Sequence, residues 1–250
     1  MNPLIHLSAA AVLLGAAQGA SAETIVYTFQ QGVAGYTGQV DTNIRGEEPT
    51  TPGGALAEIS IDASDGGFPS QGLMRFDGLF GAAPGQIGND RVITAATLTL
   101  QVTSAGSGIQ FHEMLRAWDA AVITFASAGD GIQADGIEAA ALPVLSVGAN
   151  DSGSNVDSGP LVLDVTAALQ RAQAGLAPFG WALLPFIPEG TNGIDFYSAE
   201  WDFAADRPLL SITTAPVPEP ATLAMLGLGL AGVLVRARRR VAGPGDASNA

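Results

Sequence analysis

Residues 92–105, VITAATLTLQVTSA, restrict the fold of this chain more than any other segment. Ala96, Leu98, Leu100 and Val102 alternate with Thr97, Thr99, Gln101 and Thr103. A period of two places the apolar set on one face of a strand and the polar set on the other, as in an antiparallel sheet with one wetted side. Shorter β-type runs surround this segment: 24–29, 38–44, 56–61, 72–77, 108–115, 121–126, 142–147, 160–165, 179–186, 193–199 and 208–213. Gly, Pro and Asp turns separate them, and helices do not alternate with them. That pattern predicts an all-β fold, a β-sandwich of jelly-roll type, rather than a βαβ sheet. One short helix is predicted in DVTAALQRAQAG, with Asp164 or Thr166 as N-cap, Ala168, Leu169 and Ala172 at helical spacing, and Gly175 as the stop.

Both ends of the 250-residue chain read as address labels. Residues 4–17 form an apolar run of signal-peptide length, and Ala20, Ser21 and Ala22 supply a small-x-small cleavage site, so 1–22 is predicted to be a signal peptide. The expected β-domain is 23–216, followed by a sorting segment at 217–240 and a disordered tail at 241–250. Within the segment, 221–235 is an apolar run predicted as a membrane helix, about 22 Å long against a hydrocarbon core of roughly 30 Å. Arg236, Arg238, Arg239 and Arg240 follow it and would remain cytoplasmic, which places the body across the membrane. GLGLAG at 227–232 matches G-x-G-x-x-G in form, but it lies inside the apolar run with no strand before it, so a dinucleotide site is rejected.

Charge removes several function classes. Two of the 24 acidic residues and four of the ten Arg lie beyond residue 216, which leaves the body with 22 acids, six Arg, no Lys and a net charge of −16. Such a body cannot neutralise a phosphate backbone, so nucleic acid is not an expected partner. With no cysteine in an exported chain, stability must come from core burial. Thiol catalysis is excluded, and His112 is the only histidine after the signal peptide, read here as a strand residue.

Two acidic loops, 62–70 with Asp62 and Asp65 and 148–159 with Asp151 and Asp157, offer oxygen ligands of the kind a structural calcium ion takes. Neither fits the twelve-residue calcium loop, and solvated turns are the alternative. FYSAEW places Tyr197, Glu200 and Trp201 together. Aromatic faces stack on sugar rings and a carboxylate accepts hydroxyl hydrogen bonds, which makes these residues candidates for carbohydrate contact. An extended segment would put both rings on one side. An ordinary strand and turn is the alternative.

From DTNIR through QGLMRFDG, VITAATLTLQVTSAGSG, LRAWDAAVITF, LDVTAALQRAQAG, FGWALL and FYSAEW to RPLLSIT, the order of landmarks resembles the DNRLRE-domain family, itself similar to disaggregatase-related repeats and to alginate-type carbohydrate-binding modules. The resemblance implies a β-sandwich without shared catalytic residues. It also frames Leu73, Met74, Phe76 and Trp118 as packing residues, Arg75 and Asp77 as an ion pair, and Asp119 as a turn cap. A body this acidic is a poor match for a polyanionic ligand, so a neutral polysaccharide, a protein matrix or no soluble ligand stay open.

VPEPATLAMLGLGLAGVLVRARRR resembles the PEP-CTERM sorting signal of Gram-negative bacteria. The resemblance implies recognition and cleavage near Pro218, Glu219 and Pro220 by a membrane-embedded exosortase, then delivery to the cell surface or exopolysaccharide matrix. A plain single-pass anchor is the alternative. The expected function is therefore a non-catalytic surface or matrix protein associated with exopolysaccharide. The rivals are a polysaccharide-degrading enzyme using a carboxylate pair among Asp41, Asp62, Asp65, Glu113 and Glu200, and a purely structural module.

Overall fold

The computed structural model describes residues 23–65, 67–151, 153–186, 193–217 and 227. Eleven strands are present among them: β1 (Ile25–Gln30), β2 (Gln39–Arg45), β3 (Glu58–Asp65), β4 (Phe68–Phe76), β5 (Arg91–Ser104), β6 (Gly108–Glu113), β7 (Leu145–Gly148), β8 (Gly159–Asp164), β9 (Trp181–Pro185), β10 (Ile194–Tyr197) and β11 (Leu209–Pro216). One α-helix, α1 (Thr166–Gln173), lies between β8 and β9.

Hydrogen bonding runs in the order β1-β11-β5-β10-β3-β4-β9-β6-β7, with β8 added to β5 and β2 to β4. Every pairing is antiparallel. The expected pair of separate sheets is thus one open sheet that curls. The bend lies in β3, whose residues Glu58 to Ile61 pair with β10 while Asp62 and Asp65 pair with β4 across a register shift. A bulge of this kind strengthens local twist and lets one strand serve both halves of a sheet.

The core fills the space between the two halves. Leu98, Leu100, Val102, Phe196, Leu210 and Ile212 come from one half and Met74, Phe111, Trp181 and Leu183 from the other, all buried in one cluster. The alternation read in β5 holds: Ala96, Leu98, Leu100 and Val102 point inward. Each fully buried leucine contributes about 1.5–3 kcal/mol. A second cluster lies behind the β4–β9 half, where Ile44, Leu73, Ala182 and Leu184 pack beneath Met114, Trp118, Phe125 and Ile132. β9 is therefore buried on both faces, which explains why WALLP carries no polar alternation.

Helix α1 forms where predicted and covers the first core with Ala168 and Leu169. Its cap position is held by Val165 with no side-chain bond. Asp164 instead accepts from the Thr166 amide at 2.9 Å, within the same segment, and Thr166 Oγ1 accepts from the Ala96 amide at 2.8 Å, which fastens the helix start to β5. Gly175, at φ +75°, ends the helix.

Two further sequence expectations fail. Residues 121–126 are turns, because Asp119 accepts from the Ala121 amide and the Thr124 and Ser127 hydroxyls bond to each other's backbone amides, which satisfies the segment locally. Residues 62–70, read as a loop, continue β3 and begin β4, so Asp62 and Asp65 are strand residues of a hairpin. The segments expected as signal peptide (1–22), membrane helix (221–235, apart from Gly227) and tail (241–250) lie outside the described residues. Among the described residues, no helix is long and apolar enough to cross a membrane.

Candidate functional site

The outer face of the β10–β5 half carries an aromatic corner. Ile194 and Phe196 turn into the core, so Tyr197 turns outward, directly across from Glu58 on β3. The chain then leaves the strand. The Ser198 hydroxyl donates to the Leu56 carbonyl at 2.6 Å and accepts from the Glu200 amide at 3.0 Å, and the Ala199 amide donates to Asp41 Oδ2 at 2.9 Å. The resulting turn carries Trp201 back over Tyr197, with ring centroids 4.0 Å apart and planes 9° apart. Phe203 adds a third ring 5.9 Å from Trp201 at 55°. Arg207 fixes the far side of the turn, donating from Nε to the Trp201 carbonyl at 2.7 Å and from Nη1 to the Gln31 carbonyl at 2.8 Å.

Tyr197 and Trp201 are therefore brought together, but by a turn and not by an extended strand. Face-to-face stacking also closes the ring surfaces that look at each other, which leaves Phe203, 65% exposed, as the most open ring. Glu200 is exposed at the edge of the stack. Across the strand pair, the Thr103 hydroxyl donates to the Glu58 carboxylate. Sequence reasoning missed Phe203 and Glu58. Phe203 sits at the second position after Trp201 and could have been found by extending the motif, whereas Glu58 joins the site only through β3–β10 pairing.

Beneath the corner lies Asp41, 4% exposed on β2. It accepts from Gln39 Nε2 and from the Ala199 amide, both at 2.9 Å. Burial pushes its pKa up to about 6 and the Glu200 charge adds to the rise, while the two hydrogen bonds hold it back in part. Ionisation of Asp41 is thus coupled to the turn that carries Trp201.

The other carboxylates serve local structure. Glu113, 4% exposed, takes two bonds from Arg171 on α1, at 2.7 and 2.9 Å. Asp62 accepts from the Ser64 amide at 2.7 Å and the Gly193 amide at 3.3 Å. Asp151 accepts from the Gly153 amide at 2.8 Å and Asn155 Nδ2 at 2.7 Å. Asp157 is exposed just ahead of β8, and Asp65 ends β3. Among the described residues, no three His, Cys, Asp or Glu side chains gather where they could hold a metal ion.

The landmark residues sort into packing. The Trp118 indole donates to the Phe179 carbonyl at 2.8 Å, with the Arg75 guanidinium 4.3 Å from its ring centroid. Arg75 pairs with Asp77 at 3.0 Å. His112 is 4% exposed, with Nδ1 2.8 Å from the Ala140 carbonyl, and burial holds its pKa below the ordinary value.

At the other end of β5 the chain leaves the fold. Pro216 of β11 pairs with Arg91, and the Val217 amide donates to the Asp90 carbonyl at 2.7 Å. Pro218, Glu219, Pro220, Arg236, Arg238, Arg239 and Arg240, like Ala20 and Ala22 at the front, lie outside the described residues.

No curated protein matches the chain. The model of the PEP-CTERM protein-sorting motif matches residues 216–240, directly behind the last strand. That motif marks the chain as an exported surface protein, processed at the membrane by an exosortase-type enzyme on its way to the cell surface.

Proposed function

We propose that the β-rich body is a non-catalytic module displayed on a Gram-negative cell and held in its exopolysaccharide through the aromatic corner. In this reading the curled sheet is a jelly-roll relative of the DNRLRE domains, and 221–235 is the membrane helix of the sorting motif. The observation that carries the proposal is the outward stack of Tyr197, Trp201 and Phe203 beside Glu58 and Glu200. Sugar rings offer C–H faces to aromatic planes and hydroxyls to carboxylates, and such rings favour that contact over bulk water. The net charge of −16 favours a neutral polysaccharide over a polyanion.

One observation favours hydrolysis instead. Asp41, its pKa pushed up to about 6, lies within the electrostatic reach of Glu200, and glycoside hydrolysis uses two neighbouring carboxyl groups. Yet Asp41 is 4% exposed and its Oδ2 is taken by Ala199 and Gln39, which favours a structural role. The test measures retention of residues 23–217 on a panel of insoluble and soluble neutral polysaccharides, with a reducing-end assay on the same samples. Retention that Phe203→Ala weakens at least several-fold is expected. Failure to bind any member refutes the proposal, and release of new reducing ends would move it to the hydrolase.

A further inference from the structure

Arg91 gathers the two ends of the body. Its Nη2 donates to the Glu23 carbonyl at 2.6 Å, and Glu23 is the first residue left by the expected cleavage after Ala22. Its Nε donates to Thr214 Oγ1 at 2.7 Å, and that hydroxyl in turn donates to the Ile25 carbonyl at 3.3 Å. Pro216 pairs with Arg91 itself, and Val217 is tied to Asp90. Both membrane-directed segments of the chain therefore leave from one pole.

Little slack follows. Four peptide units separate Val217 from Ala221, where the apolar run begins, and they cover at most about 14 Å fully extended. The headgroup layer alone takes roughly 5–8 Å of that reach. The connection from β4 to β5 runs through twelve uncharged residues, 78–89, in a body of net charge −16. An anionic leaflet repels acidic surface within about a Debye length, and residues 78–89 add no charge to that repulsion, although the exposed Glu23, Asp77 and Asp90 flank them.

We propose that the pole formed by residues 78–90, Arg91 and the start of β1 lies against the lipid surface while the sorting motif is in the membrane. The aromatic corner then faces away from the bilayer, because Phe196, the neighbour of Tyr197, pairs with Val102, eleven residues and roughly 36 Å along β5 from Arg91. The inference rests on membrane engagement of the motif and adds an orientation to it.

The chain contains no cysteine, so single reporters can be placed at exposed positions, Asn89→Cys at this pole and Ser158→Cys beside the far end of β5. The full chain, carrying a bimane on either cysteine, is reconstituted in phosphatidylcholine–phosphatidylglycerol vesicles containing a lipid with a nitroxide on its headgroup. Quenching at position 89 should exceed that at position 158 several-fold. A Gly/Ser spacer of about twelve residues between Val217 and Pro218, roughly 20 Å of flexible reach, should erase most of the difference. Equal quenching at the two positions, or a difference indifferent to the spacer, overturns the orientation. Failure of the chain to float with the vesicles overturns the membrane engagement beneath it, and the flotation arm keeps the two failures apart.

Discussion

Replacing Asp41 by Asn isolates the one carboxyl that burial has driven far from its ordinary range. With a pKa lifted from 3.8 to about 6, ionised Asp41 costs the folded state about 3 kcal/mol relative to the unfolded chain. Below about pH 4 the group is protonated in both states and the cost is absent. Between about pH 4 and 6 the unfolded chain releases the proton while the fold still holds it, so stability falls as pH rises. Above about pH 6 both states are ionised and the full cost stands. Asp41→Asn removes the titration, and its side-chain oxygen can still accept from the Ala199 amide. Placed where Oδ2 stands, that oxygen also keeps the bond from Gln39 Nε2, since both donors meet the same atom. The variant should therefore match the wild type near pH 4 and exceed it by up to about 3 kcal/mol at pH 7.5, a Tm difference of roughly 6–12 °C for a body of this size. Calorimetric melting of both proteins at half-unit steps from pH 4 to 8 measures it. The wild-type curve alone cannot, since the other carboxylates titrate too. Parallel Tm profiles for the two proteins would refute the coupling of Asp41 burial to stability.

Leu98 is fully buried between Leu210 and Leu163, so Leu98→Ala should cost about 3–4 kcal/mol in urea unfolding with little change in slope. Gly53→Ala would drive a Cβ into the Asn43 backbone carbonyl, and a loss of about 1–3 kcal/mol is expected by the same assay. Phe203→Ala, at a ring 65% exposed, should leave stability within about 0.5 kcal/mol while weakening polysaccharide retention, which separates binding from folding in one variant.

Much of the sheet was legible because burial on one face writes a period of two into the strand. β5 is the clearest case, since its outer residues meet water and its inner ones meet the facing half of the sheet. Segment 121–126 carried the same apolar composition but turns, because its burial is against the second core and its hydroxyls satisfy the backbone locally. The β3–β4 hairpin was hidden behind Asp, Ser and Gly, residues that usually mark loops, and its pairing depends on a register shift that no local pattern records. At the aromatic corner, Tyr197 and Trp201 could be named from spacing, but their stacking follows from a turn held by Leu56, Ala57 and Asp41, all distant in sequence. Glu58 was invisible for the same reason. Asp62 and Asp151 accept from backbone and side-chain amides, bonds that the composition of the two acidic loops does not reveal.

For a chain threaded across the membrane N-terminus first, the pairing of β1 with β11 also sets an order of events. The first strand to cross the membrane finds its partner only when the last one has crossed, and β5 likewise waits for both β10 and β11. Such distant pairings form late, after the entropy of closing a long loop has been overcome. Until then the emerged chain lacks the strands that complete its larger core. The sorting motif begins at the final residue of β11, so completion of the sheet and arrival of the motif fall within a few residues of each other. The topology thereby works as a clock, in which a body able to fold and a motif able to be read become available at nearly the same moment.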